Sequence, residues 1–282
     1  YALTQLWAHY GIEPAVLIGH SMGENTAACV AGVMSFEDTL GLVLLRGRLM
    51  DEVPAAGMLS VQMPARELES FMGEGLDLAA ANAPGLSVAS GPTAMLDELA
   101  ARLAAAGVDS QRVRINIAAH SRLLDGILGR FRAYLQGIAL HEPGVPIVSN
   151  RTGTWLSPQE ARDPEYWVAH LRNTVRFADG VATLLQAGER VFIEVGPGNA
   201  LGSFVRQNPG APSQRVFASL RHPDDPVRDD VYFRTVAGRL WAVGVPLDLA
   251  QFTPGDRRRV PLPSYAFQHA RYWIDPGAGA VA

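Results

Sequence analysis

The 282-residue chain has one cysteine, no long apolar run and no excess of positive charge. With Cys29 alone, neither a disulfide framework nor a zinc–cysteine site is possible, and a reducing, cytoplasmic compartment suits it. The longest apolar stretches, residues 40–45 and 15–18, fall far short of the roughly 20 residues that cross a bilayer. With 24 Lys+Arg against 28 Asp+Glu the net charge is −4, and without a long basic stretch nucleic acid is a poor partner. The first residues lack the charged start and cleavage site of a signal peptide, and there is no initiator Met. They read as the middle of an amphipathic helix, so the chain is expected to be a piece of a longer one.

What is there is ordinary globular material. Residues are 48% hydrophobic and 18% charged, enough for one or two domains with a sizeable core. No internal repeat or low-complexity tract is present. Helix and strand signals alternate in the first part: a helix over 1–10, a strand over 15–18, a helix over 24–33 and another to Met50, opened by a capping-box-like Ser35-Phe36-Glu37-Asp38. Residues 57–115 read strand, helix, strand, strand, helix, strand, the ferredoxin-like split, as an insertion in the larger fold.

The α/β pattern then resumes with a helix from Ser121 to about 136 and a strand over 145–149. Helices over 165–171 and 177–186 lead to a buried strand, 191–195, then a helix over 199–207, a strand over 215–219 and a last helix over 231–243. The fold class is α/β: a core of residues 1–56 and 116–252 around a largely parallel sheet, plus the insertion. Beyond Phe252, three prolines and interspersed aromatics predict an extended strap lying on another surface.

Gly19-x-Ser21-x-Gly23, between a strand and a helix, has the form of a nucleophile elbow. The sharp turn strains Ser21 and exposes its hydroxyl, and a glycine on each side avoids Cβ clashes. The following helix aims its first amides at the site, so the Met22 N–H can donate to a developing oxyanion. The bare motif also occurs by chance as a glycine turn, and it needs a base. Of seven histidines, His9, His141, His222 and His269 read as solvated, and His170 as packed on a short helix. His20 adjoins Ser21, but neighbouring side chains on a strand end point apart. His120, at a strand end where α/β folds bind ligands, is either the base or a helix-capping histidine. Arg46 and Arg48 lie on an otherwise apolar helix. Either both snorkel to water, or one faces inward with Met50, where a buried guanidinium would await an anion.

Taken together these motifs resemble the acyltransferase domain of modular polyketide synthases, related to malonyl-CoA:acyl-carrier-protein transacylase. The matches include Gly19-His20-Ser21-Met22-Gly23-Glu24, Arg46-Gly47-Arg48-Leu49-Met50, Ala81-Asn82-Ala83-Pro84 and Ala119-His120-Ser121. Further on come Val148-Ser149-Asn150, Tyr166-Trp167-Val168 and Phe192-Ile193-Glu194-Val195-Gly196-Pro197. The terminal Pro261-Leu262-Pro263-Ser264-Tyr265-Ala266-Phe267-Gln268 resembles the linker that follows such domains, assigning 253–282 to it.

The resemblance implies an α/β-hydrolase-like core and a Ser-His dyad. In it Ser21 becomes acylated, His120 is general base and then acid, and the His170 main-chain carbonyl orients the imidazole. Arg46 would bind the free carboxylate of malonyl-CoA or methylmalonyl-CoA, with Met22, Met50, Ala119 and Asn82 around the substrate. No cofactor or metal is implied beyond acyl-CoA and the phosphopantetheine arm of an acyl carrier protein. Other implied partners are a neighbouring ketosynthase, with its linker, and an absent N-terminal segment of the domain. The family carries there a strand and a Gly-Gln-Gly whose glutamine helps form the oxyanion hole. Without them, residues 1–282 alone are expected to be inactive or poorly folded.

Ile117-Ala118-Ala119-His120 matches neither the malonyl nor the methylmalonyl pattern. Ala119 leaves room for an α-methyl group, but Met22 replaces the glutamine usual in methylmalonyl relatives, so malonyl is favoured. Arg257-Arg258-Arg259, or Arg112 with Arg114, could meet an acidic carrier protein. The competing readings are a serine esterase or thioesterase, which needs a triad acid at His120, and a degenerate docking domain, which needs no intact site.

Overall fold

The computed structural model describes residues 1–252, 255, 260–270, 272 and 273. Helix α1 (Ala2–His9) buries Trp7, whose indole N–H donates to Ser219 at 2.8 Å. Strand β1 (Leu17–Ile18) runs through the elbow into α2 (Met22–Val30), and α3 (Phe36–Met50) follows. Ser35 caps α3 by accepting the Asp38 N–H at 3.0 Å, as the sequence predicts. Small Ala27, Ala28 and Ala31 let α2 lie close against Leu42 and Leu49 of α3 in the largest apolar cluster.

The insertion is built from β2 (Gly57–Val61), α4 (Ala65–Phe71), β3 (Asp77–Ala83), β4 (Leu86–Gly91), α5 (Thr93–Ala105) and β5 (Ser110–Arg112). Its four strands are antiparallel in the spatial order β3-β4-β2-β5, the ferredoxin-like arrangement. Leu96, Leu99 and Leu103, at helical spacing on α5, pack with Leu59, Val61 and Ala89 beneath them.

A 3₁₀ turn (Arg122–Ile127), rather than an α-helix, follows His120-Ser121 and leads into α6 (Leu128–Gln136). Then come β6 (Ile147–Val148), α7 (Pro158–Arg162), α8 (Pro164–Arg172) and α9 (Phe177–Gln186). Helix α7 is not among the elements expected from the sequence, although Ser157 and Glu160 form a full capping box and Pro158 stands at the first helical position. The described residues finish with β7 (Phe192–Glu194), α10 (Ala200–Arg206), β8 (Val216–Ala218), α11 (Asp229–Ala242) and irregular chain.

The expected parallel sheet is present as two separate pairs, β1 with β6 and β7 with β8. Residues 191–195 are half-buried to exposed rather than buried. The reason lies beside them: a cavity of about 380 Å³ is lined by residues 14–18 and 189–193. Beyond Phe252 the aromatics of the expected strap, Tyr265, Phe267, Tyr272 and Trp273, are exposed and do not lie on this chain's own body. Residues 253–254, 256–259, 271 and 274–282 fall outside the described residues, and with them Arg257-Arg258-Arg259.

Candidate active site

The elbow has the strain its sequence implies. Ser21 has φ 53° and ψ −117°, a conformation that costs a non-glycine residue about 1–3 kcal/mol. A Cβ on Gly19 would stand 2.1 Å from the Glu24 nitrogen, so only glycine fits there. Gly23 is different from expectation: a Cβ there meets nothing within 4 Å. Met22 opens α2, and its N–H points from a helix N-terminus with no backbone acceptor among the described residues.

His120, itself at φ 56°, brings its Nε2 to 2.7 Å from the Ser21 Oγ. Its Nδ1 lies 2.8 Å from the Asn173 carbonyl oxygen. A carbonyl only accepts, so Nδ1 carries the hydrogen and Nε2 is left free to take the serine proton. This corrects the assignment to the His170 carbonyl. Helix α8 ends at Arg172, Asn173 leaves it with extended backbone (φ −98°, ψ 169°), and its carbonyl turns to His120. The His170 backbone acts on the ring only as a weaker partner.

Arg46 is the inward arginine; Arg48 is exposed. Arg46 is 8% exposed, and its Nη2 donates to the Ser21 Oγ at 2.9 Å. It makes no ion pair among the described residues. The Ser21 oxygen is therefore held between a neutral base and a cation.

Burial sets the electrostatics. It pushes the His120 imidazole down to about 3, with the charges of Arg46 and His20 acting the same way and the two carbonyls opposing. Burial also lowers Arg46 to about 10 and lowers His20. The Glu24 carboxyl, fully buried behind the elbow, is pushed up to about 7 by burial, opposed by its hydrogen bonds from Tyr166 and Asn150. His170 is held well below the usual imidazole range, chiefly by burial, and its Nε2 lies 3.7 Å from Glu24.

Of the other predicted site residues, Met22 is half-exposed beside the nucleophile and Ala119 adjoins His120. Asn82 does not turn toward Ser21: its Oδ1 accepts from His20 Nε2 at 2.7 Å, tying the insertion to the elbow. Met50, one turn after Arg46 on the same face of α3, is half-buried against the main apolar cluster. His9, His141, His222 and His269 are exposed. Arg112 is engaged by Asp97 at 2.6 Å, which leaves Arg114 as the exposed arginine of that pair. Asn150, Glu24 and Asn173 were given no role from the sequence; Asn150 and Glu24 stand inside recognised motifs, while Asn173 acts through backbone that no side chain signals.

A cavity of about 540 Å³ opens between the insertion and the end of α8, with His120 and Asn173 on its wall. A hydroxyl poised to give its proton to a neutral imidazole that lines such a cavity is equipment suited to taking up an acyl group. A family model described as "Acyl transferase domain" matches residues 1–238. A phenolphthiocerol/phthiocerol polyketide synthase polypeptide of Mycobacterium tuberculosis is 36% identical over 277 residues, 98% of this chain and 19% of its own length. Among solved structures, the acyltransferase domain from the second module of the salinomycin polyketide synthase aligns with a TM-score of 0.85 and 36% identity, covering 93% of this chain and 62% of that one. The acyltransferase domain of SpnD, complexed with 2-(pent-4-yn-1-yl)malonyl, gives 0.84 and 39%, covering 87% and 60%. The chain belongs to the acyl transferase domain family and is similar to the acyltransferase domains of polyketide synthases. It spans about a fifth of that mycobacterial relative and about three fifths of those two solved domains.

Proposed function

We propose that this chain transfers a malonyl-type extender unit from acyl-CoA to the phosphopantetheine thiol of an acyl carrier protein, through an acyl-Ser21 intermediate. The observation that carries the reading is Arg46, a buried guanidinium with no counter-ion among the described residues, 2.9 Å from the nucleophile. A cation so placed favours an acyl group that ends in a carboxylate.

The exchange is ping-pong. Ser21 Oγ attacks the thioester carbonyl as its proton passes to His120 Nε2, and the tetrahedral oxyanion accepts from the Met22 N–H. The C–S bond breaks, and the imidazolium returns the proton to the CoA thiolate. The phosphopantetheine thiol then gives its proton to His120, attacks the acyl-serine ester and regenerates the serine hydroxyl. The carbonyl at His120 Nδ1 supports a dyad rather than a triad, and among the described residues no carboxylate contact there favours the esterase reading. CoA and phosphopantetheine enter as substrates; no resident cofactor or metal has a step.

Malonyl is favoured over methylmalonyl, because Met22 follows Ser21 where methylmalonyl relatives carry glutamine, although Ala119 leaves room for an α-methyl group. Residues 57–115 act as the inserted subdomain over the site, and 253–282 link it onward in a synthase module next to a ketosynthase. Arg114 is the exposed cation for an acidic carrier protein. The slot between β1 and β7 fits a further strand of the domain, from outside residues 1–282, which would join the two sheet pairs and bring the second oxyanion donor. The reaction belongs in the cytoplasm; no helix among the described residues is long and apolar enough to cross a membrane.

The test is competition. The complete polypeptide is offered malonyl-CoA, methylmalonyl-CoA and acetyl-CoA together, and the acyl-Ser21 peptide is weighed. Malonyl-serine is expected to dominate; predominantly acetyl-serine, or no label at Ser21, refutes the reading.

A further inference from the structure

The strained elbow needs a restraint that its own turn does not supply. β1 ends at Ile18, so neither the Gly19 carbonyl nor the Ser21 N–H is held by a sheet ladder. One side chain takes both. Asn150 accepts from the Ser21 N–H through Oδ1 at 2.8 Å, and its Nδ2 donates to the Gly19 carbonyl at 2.7 Å. The carboxamide spans His20 and closes the turn as a backbone strand would. Its orientation is unambiguous, because one contacting group can only donate and the other only accept.

The clamp is itself anchored. The Asn150 N–H donates to Glu24 Oε2 at 2.6 Å, and Glu24 stands in the first turn of α2, the helix the elbow leads into. The other Glu24 oxygen accepts from the Tyr166 hydroxyl, which also bonds Ser149. On the far side, the Asn150 carbonyl accepts the Arg176 N–H at 2.7 Å. Arg176 is three residues beyond Asn173, whose carbonyl holds His120. The same short segment pairs with the insertion, Val175 exchanging main-chain bonds with Ala79 and Ala81 at 2.9 Å each. Serine and histidine are thus indexed to each other through Asn150, not only through their mutual hydrogen bond.

We infer that Asn150, anchored by Glu24, is a positioning residue that holds Ser21 in its reactive conformation and in register with His120 and the Met22 N–H. The inference rests on the proposed acyl transfer. Asn150 touches no atom expected to bind CoA, and Arg46 is untouched by it. Removing the clamp therefore slows acylation while leaving affinity for malonyl-CoA in place. Misplacing a reacting atom by about 1 Å is enough to cost about 100-fold in rate.

The experiment is single-turnover acylation of Ser21 by malonyl-CoA in the complete polypeptide. Asn150→Asp is isosteric but sets a carboxylate oxygen against the Gly19 carbonyl, and it is expected to acylate about 10- to 100-fold more slowly, with half-saturation changed by less than about threefold. Glu24→Gln, which keeps an acceptor for the Asn150 N–H, is expected to stay within about threefold of the parent, and Glu24→Ala to fall with Asn150→Asp. If Asn150→Asp does not fold, Asn150→Ser, which admits water to both backbone groups, is expected to show the same split. A folded Asn150 variant at parental rate overturns the inference, as does a loss that appears only in half-saturation. Failure of both variants to fold overturns it too, since the clamp would then serve stability. An unacylated parent refutes the proposed function instead.

Discussion

Arg46 presents its Nη2 to the Ser21 hydroxyl at 2.9 Å, so the site's buried cation and its nucleophile share one oxygen before any substrate arrives. Burial lowers that guanidinium to about 10, which still leaves it charged at neutral pH. A carboxylate entering the cleft supplies the missing charge, whereas a neutral acyl chain leaves the cation buried and unpaired. On the proposed reading, the site selects by that difference.

Arg46→Ala is therefore expected to reduce acylation by malonyl-CoA about 10- to 100-fold, the worth of a charge-assisted hydrogen bond or two. Acylation by acetyl-CoA is expected to hold or rise, so the ratio of the two moves further than either rate. Intact-mass measurement of the acyl-enzyme with each donor reads the ratio. An unchanged ratio would remove Arg46 from substrate selection.

The two glycines of the elbow are expected to behave differently. Gly19→Ala drives a Cβ to 2.1 Å from the Glu24 nitrogen and 2.2 Å from the Gly23 carbonyl carbon, both backbone, so the turn cannot form and acylation of Ser21 is lost. Gly23→Ala points into open space and lies on a helix, so acylation is expected within a fewfold of the parent. Labelling of Ser21 in each variant, beside a thermal melt, decides it. Equal tolerance of both would mean the turn is not the one described.

How much of this was legible beforehand depends on what each residue speaks through. Ser21 was legible from its motif, whereas His120 and Arg46 each stood between two readings that only the family resemblance separated. The βαββαβ order of residues 57–115 was legible because each strand and helix in it has its own period and stops. The orienting carbonyl was not: Asn173 contributes a main-chain oxygen, whose direction follows from where α8 stops. Gly23 misled because motif glycines look alike on paper, while only Gly19 faces the turn's own backbone. The split of the parallel sheet was also invisible, since a strand's sequence does not say which neighbour stands beside it.

Buried titratable groups on either side of the elbow give opposite dependences on pH. Glu24 is raised from 4.5 to about 7, so the folded chain binds a proton that the unfolded chain has released. The stability this contributes is complete below about 4.5 and is lost as pH rises through about 7. His120 is lowered from 6.5 to about 3, so its contribution is complete above about 6.5 and is lost as pH falls through about 3. Glu24→Gln removes only the first dependence. Urea midpoints of the complete polypeptide at pH 5, 6, 7 and 8 are expected to show the variant gaining on its parent as pH rises. Parallel curves would show that Glu24 titrates normally. Acylation rates, by the same token, are expected to lack a limb near 6.5 from His120.

The slot between β1 and β7 makes the last prediction. Leu17 and Ile18 pair only with β6, and Phe192–Glu194 only with β8, so each strand carries a free edge into a cavity of about 380 Å³. Free edges recruit strands, and residues of both line that one cavity. A strand filling the slot gives the amides and carbonyls of both edges their partners and covers Val16, Val191 and Phe192. Amide hydrogen exchange is the measurement, comparing residues 1–282 alone with the complete polypeptide. Residues 15–18 and 191–195 are expected to exchange at least tenfold more slowly in the complete polypeptide, while β4, already buried on both sides, changes little. Acylation of Ser21 is expected to appear together with that protection. Equal exchange at both edges in the two proteins would leave the slot empty and the two sheet pairs independent.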